Sequence, residues 1–163
     1  MKTLHELRAP PRLEGRVEAI VVRGRSRDPA RSIPATRAIA GVGLADDRLG
    51  QLGAAELSTR QVTLIQHEHL PVIAQLARVA PIDPVGLRRN LVISGINIAA
   101  LKNARLRVGE ALFEIVGPCH PCSRMEEVVG AGGYAAMRGH GGMTARVLEG
   151  GAIRIGDAVR VAQ

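Results

Sequence analysis

Apolar and polar residues alternate at a period of two through much of the chain, the spacing of a strand with one buried face. Residues 13–23 (LEGRVEAIVVR) carry this pattern first. Residues 61–65, 91–95, 106–110, 111–116, 143–148 and 152–161 repeat it, with glycine or proline at many of their ends, as strand boundaries require. Gly109-Glu110 predicts a hairpin turn between residues 106–110 and 111–116. Gly150-Gly151 predicts another between residues 143–148 and 152–161, with Gly156-Asp157 a further turn. Helical spacing is confined to the segment after Ile65, where Pro71 lies near the helix start. Residues 24–35 carry Pro29 and Pro34 and show no period, so they read as a polar connection. Residues 130–142 contain six glycines and read as a flexible or tightly turning loop. The fold class is therefore mainly β (α+β), one domain over residues 1–163 with one or two helices, without internal repeats or heptads.

Both cysteines fall in one stretch, residues 111–129 (ALFEIVGPCHPCSRMEEVV). A strand through Val116 is stopped by Gly117-Pro118, and Cys119-His120-Pro121-Cys122 forms a stiffened loop. Ser123 and Glu126 have the spacing of a capping box, in which each side chain bonds the other residue's amide at a helix start. Cys122 then stands beside a helix N-terminus with Arg124 close in sequence, a setting that favours thiolate. Such a sulfur is a candidate nucleophile or metal ligand.

The chain has 22 Lys and Arg against 15 Asp and Glu, net +7, and only Lys2 and Lys102 are lysines. Arginine grips phosphate or carboxylate through a bidentate fork, so an anionic ligand fits; a GC-rich coding sequence would also replace lysine by arginine throughout. Phe113 and Tyr134 are the only aromatics. Single-strand readers stack bases on aromatic platforms, so no nucleic-acid partner is expected. The absence of a long apolar run predicts no membrane association and a cytoplasmic location. In a reducing compartment a Cys-x-x-Cys pair is reactive or metal-binding rather than a structural disulfide.

Arg88-Arg89-Asn90 leads into an apolar strand and places planar donors at its mouth, where an anion could be gripped. Asp46-Asp47 reads as a turn or cap rather than a cation site. His67 and His69 read as surface or supporting groups, since two apart on a helix they face different ways. His140, within the glycine-rich segment, is a candidate proton donor under a loop suited to act as a lid. Neither lysine is placed as a Schiff base.

Several segments resemble the MOSC domain, named for the C-terminal domain of molybdenum cofactor sulfurase: GLADDRLG (43–50), RQVTLIQHEHLPVI (60–73), LRRNLVISGIN (87–97), LRVGEALFEIVGPCHPCSRME (106–126) and RVLEGGAIRIGDAVRV (146–161). They cover most of the chain in family order. The resemblance implies a β-barrel with a few peripheral helices and a role with molybdenum cofactor (molybdopterin). In amidoxime-reducing relatives the matching cysteine ligates molybdenum and N-hydroxylated compounds are reduced; in sulfurases the domain delivers sulfur. Carried over, Cys122 is the catalytic and metal-binding cysteine; His140, whose glycine-rich loop has only loose counterparts in the family, is a second catalytic candidate from its own chemistry. Arg88, Arg89 and Asn90, with Ser123 and Arg124, form the cofactor-binding set. The usual Gly-Asp-Arg turn reads Ala45-Asp46-Asp47-Arg48 here. Implied partners are a small N-hydroxylated substrate or a sulfur-donor protein, and an electron-donor protein; pyridoxal phosphate enters only through a partner desulfurase. Alternative readings are a persulfide sulfur carrier, a thioredoxin-like oxidoreductase with a nucleophilic Cys119, and a zinc site from Cys119, Cys122, His120 and His140. Against the last two stand the late position of the motif and the awkward place of His120 between the cysteines.

Overall fold

The computed structural model describes residues 3, 4, 6, 14–25, 28–48, 50 and 58–162. Among them eleven strands form: β1 (Glu14–Val22), β2 (Arg31–Ile33), β3 (Ala35–Ile39), β4 (Gly43–Leu44), β5 (Val62–Gln66), β6 (Leu91–Ser94), β7 (Arg105–Val108), β8 (Ala111–Pro118), β9 (Met143–Glu149), β10 (Gly151–Arg154) and β11 (Ala158–Ala162). Short helices described over their whole length lie outside the strands: α1 (His69–Ala77), α2 (Pro84–Leu87), α3 (Arg124–Val129) and α4 (Gly133–Met137). A 3-10 turn covers Ile98–Leu101.

Seven strands close a mixed barrel in the order β11-β7-β8-β9-β5-β6-β1, sealed by β1 against β11 from Glu14↔Arg160 to Arg16↔Ala158. Closure leaves few bare edges, the liability of any open sheet. β1 is long enough to give one edge to β11 at its start and to β2 at its end, while the other edge pairs with β6. The parallel pair is β5 with β6, Leu64↔Leu91 to Gln66↔Ile93, and α1 and α2 lie in the crossover that a parallel connection needs.

Alternation along the strands fills the interior. Val17, Leu64, Leu91, Ile93, Leu106, Phe113, Ile115, Ala145 and Val159 meet inside, none of them exposed. β5 and β6 are buried on both faces. Ile65 and Val92 point outward into a second apolar cluster with Ile73, Leu87, Met125 and Met137, which docks the helices on the barrel. That double burial explains why these two strands read as continuous apolar runs rather than clean alternation. Fully burying one such side chain is worth roughly 1.5–3 kcal/mol.

Four expectations are corrected. Residues 143–148 and 152–161 do not form a hairpin: both edges of β9 are taken, by β8 and β5, so β10 leaves the barrel and pairs with β3 in a small sheet with β4. The connection over residues 24–35 contains β2, drawn into the sheet by the free edge of β1. Gly117-Pro118 does not stop β8, which continues to Pro118 opposite Met143 past an irregularity between Ile115 and Gly117. The glycine-rich segment holds α4, and the helices exceed the one or two expected.

Candidate functional site

The cysteine loop joins β8 to α3 and is tied at both ends. The Cys119 amide donates to the Gly142 carbonyl at 2.8 Å, and the Met125 amide donates to the Cys122 carbonyl at 2.9 Å. Gly141 and Gly142 allow this closeness. A Cβ on Gly142, which sits at φ +95°, would strike the Leu64 carbonyl, and one on Gly141 would strike the Cys119 carbonyl. The glycine segment is thereby wedged between the cysteine loop and β5. Both cysteines are free thiols; Cys122 is exposed and Cys119 half-buried.

The capping box does not form. Ser123 already has helical dihedrals, φ −54° and ψ −28°, and its hydroxyl makes no cap bond. Glu126 instead turns forward, its carboxylate accepting from the Gly132 amide at 2.7 Å and the Tyr134 amide at 3.0 Å. Those two bonds, to Gly132 first, hold the Glu126 carboxyl below its usual range. The spacing was right for a cap, but the bare amides that open α4 win the carboxylate.

The three residues before β6 have three different fates. Arg88 ends α2 in the left-handed conformation at φ 56° and remains half-buried. It lines a cleft of about 530 Å³ with Arg23, Arg48, Arg60, Asp47 and Thr63. Burial, then the charges of Arg124 and Arg23, lowers the Arg88 pKa, with Cys122 acting in the opposite sense. Arg88, Arg124 and Cys122 are thus electrostatic neighbours; of the two arginines, the sequence had placed only Arg124 close to Cys122. Arg124 is exposed and lines a shallower depression shared with Arg88.

Arg89 is buried, 7% exposed, rather than presented at the strand mouth. Its Nε donates to the Gly141 carbonyl at 2.7 Å and its Nη1 to the Leu87 carbonyl at 3.0 Å, while Nη2 has no protein partner. Asn90 is also buried: its Oδ1 accepts from the Thr63 amide and hydroxyl, both at 3.0 Å, and its Nδ2 donates to the Val21 carbonyl at 3.2 Å. The carboxamide therefore fastens β1, β5 and β6, though Asn90 borders the arginine cleft. Asp46 and Asp47 act as fasteners too, accepting from the Thr36 hydroxyl and the Arg23 amide. Among the described residues no three His, Cys, Asp or Glu side chains converge on a metal position.

Cys119, His120 and Pro121 line a separate cavity of about 240 Å³ with His69, Ile98 and Met143. Burial pushes the Cys119 thiol up, Arg89 and Arg60 pull against it, and Cys122 adds to the rise. His69 and His140 stand edge to face, ring centres 5.2 Å apart at 87°. His140 Nδ1 lies 3.2 Å from the Ala136 carbonyl, so this nitrogen carries the proton and Nε2 is left for other partners. Burial first, and His140 second, lowers the pKa of His69 and favours the neutral ring, with Glu68 opposing. The pairing of His69 with His140 has no local signal in the sequence, since 71 positions separate them. Arg23 and Arg60 were missed for the same reason, and Arg48 appeared only as the end of an altered turn.

A closed barrel, a late exposed cysteine and an arginine-lined cleft occur together in this chain, and the MOSC domain family model matches residues 44–160. The chain belongs to the MOSC domain family. Solved structures agree on the fold of this MOSC protein. It resembles the YuaD protein of Bacillus subtilis (APC1665) with a TM-score of 0.77 at 19% identity, over 91% of this chain and 95% of the other. YiiM of Geobacillus stearothermophilus gives 0.70 at 15% identity, over 91% and 75%. YiiM of Escherichia coli gives 0.65 at 18%, over 91% and 70%. A comparison with curated proteins gave no significant match. No helix among the described residues of the MOSC chain is long and apolar enough to cross a membrane.

Proposed function

We propose that this MOSC protein binds molybdenum cofactor and reduces N-hydroxylated compounds at a molybdenum held by the Cys122 thiolate. The observation that supports this most strongly is an exposed free thiol coupled electrostatically to Arg88, which with Arg23, Arg48 and Arg60 lines an open cleft. The donor chemistry fits the group. One soft thiolate is a sound ligand for a metal that arrives already chelated by its own organic sulfur donors, and an arginine cleft suits a pterin phosphate. Family membership associates the domain with this cofactor.

When bound, the cofactor would supply the two electrons that remove oxygen from an N–OH group. The chain's own residues do the rest. Cys122 provides the protein ligand. Arg23, Arg48 and Arg60 hold the anionic end of the cofactor. His140, with Nδ1 tied to the Ala136 carbonyl, keeps Nε2 free to exchange the proton that leaving water requires. Arg89 braces the glycine segment that carries His140.

Holo protein incubated with a chemical reductant and an N-hydroxylated purine should yield the corresponding amine, and Cys122→Ser should abolish the yield. No turnover, together with persulfide on Cys122 after exposure to a cysteine desulfurase, would transfer the role to sulfur carriage, because a permanent metal ligand is not a free sulfur acceptor.

A further inference from the structure

The cavity behind the cysteine loop is chemically unlike the arginine cleft. Ile98, Ala99, Pro118, Pro121 and Met143 give it an apolar body. Its single fixed charge is the ammonium of Lys102, which follows the 3-10 turn and is exposed at the rim. Gln66 also borders it, but the carboxamide is spent, its Nε2 on Glu68 at 2.7 Å and its Oε1 on the Ile98 amide at 3.1 Å. His69 is not spent: its buried Nδ1 has no partner. A buried polar atom in that state is more easily left as a bare lone pair than as an unpaired N–H, so Nε2 carries the ring proton. A cavity of about 240 Å³ is small for a drug-sized ligand and suits one ring.

We propose that this cavity is a second binding site, for a compact ring compound carrying an anionic or strongly accepting group directed at Lys102, with the ring body against Ile98 and Met143. Charge selects the ligand. A carboxylate or hydroxamate gains from the ammonium, while a cationic amidine of the same shape meets repulsion with no carboxylate in the lining to offset it. That the bound ring is the substrate for N–OH reduction rests on the reading of Cys122 given above; the ligand preference itself does not.

The test uses the full chain prepared without cofactor and three probes of one shape: benzoate, benzamide and benzamidine. Each is titrated while the Met143 methyl and His69 ring signals are followed by NMR, with Thr63 as reporter for the arginine cleft. Benzoate should bind tightest and benzamidine weakest, with shifts at Met143 and His69. Lys102→Glu should weaken benzoate about tenfold or more and leave benzamide unchanged. Ala99→Trp, at an exposed lining position, should remove binding of all three, with unaltered melting temperature showing that the fold survives. Equal affinity for the three probes, benzoate shifts confined to Thr63, or undiminished binding in Lys102→Glu would overturn the site. Because the readout needs no molybdenum, failure of Cys122 to retain metal leaves a positive result standing, and absence of benzoate shifts overturns the site even where N–OH reduction is observed.

Discussion

The arginine cleft and the cavity beside Cys119 differ in what lines them. The surroundings of the arginine cleft are wet and cationic, with Arg23, Arg48, Arg60 and Arg88 around it, and Arg88 is the member coupled to Cys122. On the Cys119 side they are drier, closed by Met143 and the glycine segment, and burial pushes the thiol up. Three residues are enough to move a sulfur from one environment to the other. The two thiols of the Cys-x-x-Cys pair thus differ in setting: Cys122 is exposed and coupled to Arg88, while Cys119 is half-buried in the cavity wall and feels Arg89 and Arg60.

That difference depends on Arg89, and removing it should have the largest effect. Arg89→Ala strips the bonds to Gly141 and Leu87 in a buried setting, at a cost of about 3 kcal/mol. Arg88→Ala, at a half-exposed position with no such bond, should stay within about 0.5 kcal/mol in the cofactor-free protein. Denaturant unfolding of the two variants measures the contrast; equal costs would mean that the two arginines are not divided between structure and site. Next comes the glycine wedge. Gly142→Ala should cost about 2–3 kcal/mol because a Cβ meets the Leu64 carbonyl, whereas Gly139→Ala, at φ +81° with open space around it, should cost about 1 kcal/mol.

A smaller contrast is kinetic. At neutral pH iodoacetamide should label Cys122 about tenfold faster than Cys119, since exposure favours the first and a raised pKa keeps the second protonated. Peptide mass spectrometry reads the two sites separately, and raising the pH should narrow the ratio as Cys119 ionises. The smallest effect concerns Glu126. Its folded carboxyl is depressed by the Gly132 and Tyr134 amides, so its contribution is present above the ordinary carboxylate pKa and disappears as pH falls through the folded value. Amide exchange at Gly132 and Tyr134 should speed up in that acid window, and Glu126→Gln should show the faster exchange already at neutral pH. His69 follows the same sign from a higher starting point: with its pKa below 6.5, stability from the neutral ring is full above that value and is lost on acidification through the folded pKa.

Much of the barrel could be read from period and punctuation, because β1, β6 and β7 each have boundaries set by local residues. What could not be read depends on which edges are free. β10 was assigned to β9 by the short Gly150-Gly151 link, yet only the closed barrel reveals that β9 has no edge to offer. β2 is three residues long and exists because β1 overhangs its partners. The candidate site divides similarly. Cys122 and Arg88 were each legible as candidates, because a cysteine loop and an arginine pair are local motifs, but their coupling was not, since 34 positions separate them. The burial of Arg89 was not legible, since its partner Gly141 lies 52 positions away. Ser123 and Glu126 had cap spacing, but a competing pair of amides on α4, invisible to a four-residue motif, took the carboxylate.

The central claim is that one cysteine of the two holds the metal, and the most direct measurement is metal and pterin content. Wild-type chain, Cys122→Ser and Cys119→Ser are produced in a host that makes molybdenum cofactor, purified identically, and assayed for molybdenum by mass spectrometry and for pterin by fluorescence. The account predicts molybdenum and pterin in wild type and in Cys119→Ser, and loss of molybdenum in Cys122→Ser. Equal loss in both variants, or a wild type that never retains molybdenum, would contradict it.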